Sequence, residues 1–301
     1  MSAKTLGVPL RPLKGIRILS LALNLPGPAA LMRCQQMGAR CAKLEPPAPT
    51  GATLSFGDPM RHYKPDAYAA LHQGVRITSA DLKTDAGQKT LHKELAKADV
   101  LLTSFRPSAL TKLGLGWKAL RKQYPQLSQV AIVGSPGASA EAPGHDLTYL
   151  AEMGLVTGLD LPATLYADMG GSLMASEAVL QVVLHTRNTG KGAFIEVALA
   201  SAASYLALPR SWGLTTPGAA VGGGHAGYRL YPCKNGRVAV AALEPHFAAR
   251  LCAAAGVAIA SPAAMFEAAT HHGIAAWLQG KTRNQLDKLA ADKDIPLHTM
   301  A

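Results

Sequence analysis

The chain has 301 residues, 49 % of them hydrophobic, with 30 Lys and Arg against 19 Asp and Glu and a net charge of +11. That apolar content excludes a disordered chain, and the length allows one large domain or two smaller ones with a real core. The positive charge suits an anionic partner, but it is scattered and not gathered into a basic patch with interleaved aromatics, so a phosphorylated small molecule fits better than nucleic acid.

In chain order, Ile16 to Leu21 is an apolar run of strand length. Arg11, Lys14 and Arg17 near it imitate a signal peptide. Ser20 and Asn24 interrupt the run, and Pro26-Gly27-Pro28 closes it with a turn, so a cytoplasmic protein with no membrane partner is expected. Nowhere is an apolar run long enough to span a bilayer. Pro28 suits a first helical turn, and the helix from Ala29 to Met37 should stop at Gly38. Cys41 to Glu45 is the next strand, which makes a parallel strand–helix–strand unit. The glycines after the first strand do not spell a dinucleotide fingerprint.

Pro46 to Pro65 reads as a loop, and Val75 to Ser79 as a strand. Thr84 to Ala98 has apolar residues at helical spacing, and Asp99 to Thr103 is a buried strand. That strand ends at Phe105-Arg106-Pro107, at the edge where open α/β sheets bind ligands. Val130 to Val133 is a further strand. The loop from Pro136 to Gly144 then delivers His145.

Asp168 precedes Met169-Gly170-Gly171-Ser172 and a long small-residue run to His185. On its residues alone Asp168 is a helix N-cap or an acid/base group. The two glycines would let a ligand approach the helix start. Thr189 to Gly192 is a turn, Phe194 to Leu199 a strand, and Ala200 to Leu208 a small apolar run. Gly213 to Gly227 reads as a linker. A hairpin follows, with Asn235-Gly236 at its turn, and then helices, one opening with a capping box at Thr282 and Gln285. The four cysteines, Cys34, Cys41, Cys233 and Cys252, have neither zinc nor disulfide spacing and read as free thiols of a reducing compartment. The expected division is 1–210 for a large α/β domain and 211–301 for a smaller one.

An ordered set of motifs runs through these elements. It comprises Pro12-Leu13-Lys14-Gly15-Ile16, Pro26-Gly27-Pro28, Lys43-Leu44-Glu45-Pro46-Pro47, Asp81-Leu82-Lys83, Phe105-Arg106-Pro107, Leu113-Gly114-Leu115-Gly116, Gly144-His145-Asp146, Asp168 with Gly170-Gly171, Thr189-Gly190-Lys191-Gly192, Tyr228 and Glu244-Pro245. With this set the sequence resembles the class III coenzyme-A transferase family, most closely its α-methylacyl-CoA racemases. The resemblance implies a doubly wound, mostly parallel sheet domain, a smaller α+β domain shorter than in relatives, and an interlocked homodimer. It implies an acyl-CoA thioester as substrate, with coenzyme A part of that substrate, no tightly bound cofactor and no metal. It assigns acid–base work to His145 and Asp168 and support of the imidazole to Glu244. Pro26, Gly27, Arg76, Phe105 and Arg106 are expected along the CoA path.

The implied chemistry is coherent. Inverting the carbon beside a thioester needs one group to remove its proton and another to return one on the opposite face. An imidazole works near neutral pH, and amides at the helix start by Asp168 are candidates to hold the enolate oxygen. Two other readings stay open. In a CoA-transferase, Asp168 is a nucleophile that forms an acyl anhydride, and Gly222-Gly223-Gly224-His225 is a mobile loop. In a non-catalytic descendant, the fold binds an acyl-CoA without turnover.

Overall fold

The computed structural model describes residues 10–48 and 57–301. β1 (Arg17–Ser20) leads into α1 (Pro26–Gln36). This helix starts two residues before Pro28, with Pro26 in its first turn, where a missing N–H costs nothing. Gly38 follows it at φ 99°, a conformation a side chain would resist. β2 (Arg40–Glu45) comes next. The stretch expected to be a loop carries α2 (Met60–Tyr63), while residues 49–56 of that stretch lie outside the described ones. Next come α3 (Pro65–Leu71), β3 (Arg76–Ser79), α4 (Asp85–Leu95) capped by Thr84, and β4 (Val100–Thr103). They are followed by α5 (Pro107–Lys112), α6 (Trp117–Gln123), β5 (Ser128–Val133) and α7 (Asp146–Glu152). The long α8 (Tyr166–Thr189) ends at Gly190, which is left-handed. β6 (Phe194–Ala198) and α9 (Leu199–Leu206) close this part.

The six strands form one parallel sheet in the order β3-β2-β1-β4-β5-β6. The chain therefore has an α/β fold, as expected. Strand residues alternate between two cores, as a period of two requires. Ile18, Val100, Leu102, Val130 and Ile132 pack on one face with Leu31 of α1 and Val179 and Val182 of α8. Leu19, Leu44 and Leu101 pack on the other with Leu91 and Leu95 of α4, Leu110 of α5 and Leu120 of α6. Because both faces are covered, every residue of β5 is buried. Successive connections leave the sheet in opposite directions between β1 and β4, which opens a crevice at their carboxyl ends.

The chain divides into two compact units, the first ending at Ala207 and the second starting at Leu208. In the second, α10 (Leu208–Ser211) precedes the hairpin of β7 (Tyr228–Cys233) and β8 (Gly236–Ala241). α11 (Pro245–Ala255), α12 (Ala268–Gln279) and α13 (Arg283–Lys293) follow, the last with the expected Thr282/Gln285 capping box. β9 (Leu297–Met300), which the sequence reading did not foresee, pairs antiparallel with β8. Val238, Val240, Leu251, Ile274, Leu278 and Leu286 form the core of this unit. All four cysteines are free and buried. Burial pushes the Cys34 and Cys41 thiols up to about 12, so both are inert. Among the described residues no helix is long and apolar enough to cross a membrane.

Candidate active site

Segments leaving three neighbouring strands line the crevice of about 320 Å³. Asn24 and Pro26 follow β1, Ser104, Phe105 and Arg106 follow β4, and Gly134 follows β5. His145, Tyr149 and Asp168 complete the wall. The two residues nominated for acid–base work thus line one cavity, although 23 positions separate them along the chain. His145 is exposed at the start of α7. Its N–H donates to Thr148 Oγ1 at 3.0 Å, and that hydroxyl donates to the His145 carbonyl at 2.7 Å.

Asp168 is not the cap of α8. It is the third residue of the helix, and Leu165 holds the cap position without a side-chain bond. The capping function comes from the buried Asp146, whose Oδ1 accepts the Asp168 N–H at 2.9 Å. A carboxylate at a helix start is favoured by the dipole as well as by the bond. The Met169 N–H in turn donates to the Leu165 carbonyl at 3.0 Å. These two amides are therefore occupied and are not free to donate to an enolate oxygen. Burial chiefly, and then the Asp146 charge, push the Asp168 carboxyl up to about 6, against a lowering pull from His145. An acid at that position on the pH scale can both take and return a proton near neutrality. Asp146→Asn keeps an acceptor for the Asp168 N–H and removes the neighbouring charge. The Asp168 titration should then move toward ordinary carboxylate values, measurable by carbon-13 carboxyl NMR; an unmoved titration would show that burial alone sets it.

Gly170 and Gly171 also act differently from expectation. A Cβ at Gly171 would stand 2.3 Å from Leu199 Cδ2, and one at Gly170 would stand 3.3 Å from Leu206 Cδ1. They admit α9 against α8, not a ligand. Gly27 likewise lets α1 approach Ala22, where a Cβ would come within 2.1 Å of that methyl group. It shapes the crevice from behind, while Pro26 lines it.

Tyr149 is a wall residue that the sequence reading left without a role. It is buried, and its phenol is pushed up by burial first and Asp168 second, with Arg106 opposing. A Cβ at Gly134 or Gly144 would approach its hydroxyl to 2.3 or 2.5 Å. Gly144→Ala should therefore displace the ring and cost about 1–3 kcal/mol by overpacking; an unchanged thermal melt would show that the ring yields freely. Asn24, in the left-handed region at φ 61°, is a second unforeseen wall residue. Asn tolerates that conformation better than most side chains.

Arg76 stands elsewhere. It is the first residue of β3, at the amino edge of the sheet opposite the crevice, and its guanidinium pairs with Glu94. Parallel strands put their first and last residues on different edges, so Arg76 lies at the edge opposite the crevice lining. Glu244 belongs to the second unit, where it is the exposed N-cap of α11.

Beside the crevice lies a buried network. Lys43 Nζ, fully buried, is 3.0 Å from Glu45 Oε1 and 2.9 Å from His72 Nε2, and it pairs with Asp58 Oδ2. Glu45, Asp58 and His72 approach each other closely enough to hold a metal ion, but the ammonium fills the space between them. Burial first and Lys43 second hold His72 below its ordinary value, so its neutral Nε2 accepts from Lys43 while Nδ1 donates to the Tyr68 carbonyl at 2.7 Å. Asp58 Oδ1 accepts the N–H groups of Asn24 at 3.3 Å and Met60 at 2.9 Å. The network thereby fixes the crevice wall at Asn24 and the start of α2.

A parallel sheet whose switch-point crevice is lined by an imidazole and a buried carboxyl defines the candidate site of this α/β protein. The family model for CoA-transferase family III matches residues 13–301, and the chain belongs to that family. It is 30 % identical over 206 residues to a probable fatty acyl-CoA transferase of Mycobacterium tuberculosis, covering 64 % of this chain and 51 % of the relative. It is 28 % identical to the mouse alpha-methylacyl-CoA racemase, covering 81 % of this chain and 65 % of the relative. Human succinyl-CoA:glutarate CoA-transferase is 27 % identical, with 81 % and 59 % covered. The chain thus spans between about half and two-thirds of the length of these curated relatives. A crystal structure of the M. tuberculosis protein superposes with a TM-score of 0.82 at 23 % identity, covering 96 % of this chain and 85 % of that one, which shows a shared fold.

Proposed function

We propose that this chain racemises 2-methylacyl-CoA thioesters by two-base proton transfer at the α-carbon, between His145 and Asp168. The observation that carries the reading is the sharing of one crevice by an exposed imidazole and a carboxyl raised to about 6. One group removes the α-proton while the other, protonated, delivers to the opposite face. Phe105, Arg106 and Pro26 line the crevice and suit the CoA path; Arg106 brings the positive charge that a phosphate chain needs. Glu244 is assigned to orienting the imidazole. The reading carries with it a homodimer in the cytoplasm, no tightly bound cofactor, and neither nucleic acid nor membrane as partner. Incubation with 2-methylacyl-CoA esters in deuterated water should exchange the α-proton. Failure to exchange above background over a panel of acyl chains would sink the reading.

The second reading is a CoA-transferase, favoured by the transferases among the relatives. There the Asp168 carboxylate attacks the thioester carbonyl, the C–S bond breaks, and CoA thiolate leaves behind an aspartyl anhydride. Hydroxylamine separates the two. A transferase is inactivated through Asp168 only when acyl-CoA is present, whereas a racemase passes through no trappable anhydride.

A further inference from the structure

Tyr149 stands one turn after His145 on α7, its N–H bonded to the His145 carbonyl at 3.3 Å. Its ring is buried, and two glycines of the crevice wall locate its hydroxyl. A Cβ at Gly134, just past β5, would stand 2.3 Å from the Tyr149 oxygen, and one at Gly144, beside His145, 2.5 Å. The oxygen therefore fills the space that side chains would take at both positions.

That hydroxyl makes no hydrogen bond to any of the described residues, and it is not sealed away either. The buried side-chain atoms without a partner are Thr103 Oγ1, Gln129 Oε1 and Arg283 Nε, and the Tyr149 oxygen is not one of them. An oxygen that is neither bonded nor sealed meets the open space beside it, which here is the crevice. Burial first, and Asp168 second, hold the phenol above its ordinary value. At neutral pH it keeps its proton and is a donor. Asp168 and Arg106, whose charges act on this phenol in opposite senses, line the same crevice.

We propose that the Tyr149 hydroxyl donates to the thioester carbonyl oxygen of a bound acyl-CoA and holds the negative charge that gathers there. This role rests on the reading that a thioester occupies the crevice, and it serves either fate of that thioester. Removing the α-proton to His145 or Asp168 moves the C–H electron pair into the C–C bond and the C=O pair onto oxygen. Attack of the Asp168 carboxylate on the carbonyl carbon moves the C=O pair onto the same oxygen. In both cases the phenol keeps its proton. A fixed donor binds the anion more strongly than the neutral carbonyl, and that difference lowers the barrier.

Tyr149→Phe removes one oxygen atom and keeps the ring. Because that oxygen bonds to none of the described residues, the thermal melt should be unchanged. The kcat for α-proton exchange should fall roughly 10²–10³-fold, the effect of losing one such donor, with KM nearly unchanged. A second measurement needs no turnover. The probe is 2-methylpropanoyl-CoA labelled with carbon-13 at the thioester carbonyl, bound to the full chain and followed by infrared difference spectroscopy. Its carbonyl band should lie at lower wavenumber in the complex than in buffer, and should move back up in Tyr149→Phe. A purely structural ring would produce neither the kcat loss nor the band shift. A band not lowered in the parent, a band equal in parent and variant, or a normal kcat in the folded variant would overturn the role of Tyr149 and leave the racemase reading standing. A lowered band that Tyr149→Phe restores, in a parent that exchanges no α-proton, would uphold the role and remove the racemase reading. A parent that binds no thioester would overturn both.

Discussion

Asp168→Asn should lower α-proton exchange by roughly 10²–10⁴-fold, the contribution of one positioned acid/base group, and should raise the stability of the fold at neutral pH. The two effects have one cause. Burial and the Asp146 charge hold the native carboxyl at about 6 instead of the ordinary 3.8. Between those values the native state binds more protons than the unfolded chain, so stability falls as pH rises through that window. Above about pH 6 the full cost is present. At about 1.4 kcal/mol per pH unit it amounts to up to roughly 3 kcal/mol. Asparagine does not titrate. The advantage of the variant should therefore be absent near pH 4, grow up to about pH 6, and then level off. Denaturant melts at several pH values measure it. A variant no more stable than the parent at pH 7 would show that the carboxyl is not held in this unfavourable setting. Normal exchange in a folded variant would remove Asp168 from the chemistry.

Lys43→Met should be the most damaging single change to the fold, at about 3–5 kcal/mol, the usual cost of leaving a buried charge without its partner. Met matches the Lys stem in length, so the loss reports the ammonium and not a cavity. Without it, Glu45 and Asp58 face each other with relative exposures of 1 % and 0 %. Asp58 also holds the Asn24 and Met60 amides, so the crevice wall should loosen along with the core. Urea denaturation measures the loss. Adding Glu45→Gln and Asp58→Asn to Lys43→Met should recover part of it by removing the stranded charges. A single variant within about 1 kcal/mol of the parent would show that water reaches the network and screens it, as at an exposed pair.

Much of the fold was legible because its signals are local. Short apolar runs of strand length in Ile16 to Leu21 and Asp99 to Thr103 marked strands, and Gly38, Thr84 and Thr282 marked helix ends within one turn of their partners. β9 was not legible. Its four residues, Leu297–Met300, carry no alternation strong enough to announce a strand, and it exists because β8 offers it an edge.

The site divides the same way. His145 and Asp168 were nominated from their motifs, but the cap of α8 was misread because the carboxylate that performs it is Asp146, on another helix. Gly170 and Gly171 advertised a ligand approach and instead admit α9. Lys43, Asp58 and His72 stand 15 and 29 residues apart along the chain, and no spacing rule joins them.

The amino-acid sequence by itself determined the order and type of most elements, the family, and the residues worth suspecting, since propensity, periodicity and capping act over a few neighbours. Only the tertiary structure decided which suspects meet, which amides remain free and which charge sits beside which. Those outcomes depend on close packing and on a low-dielectric interior, and both arise only once distant segments have excluded water from between them.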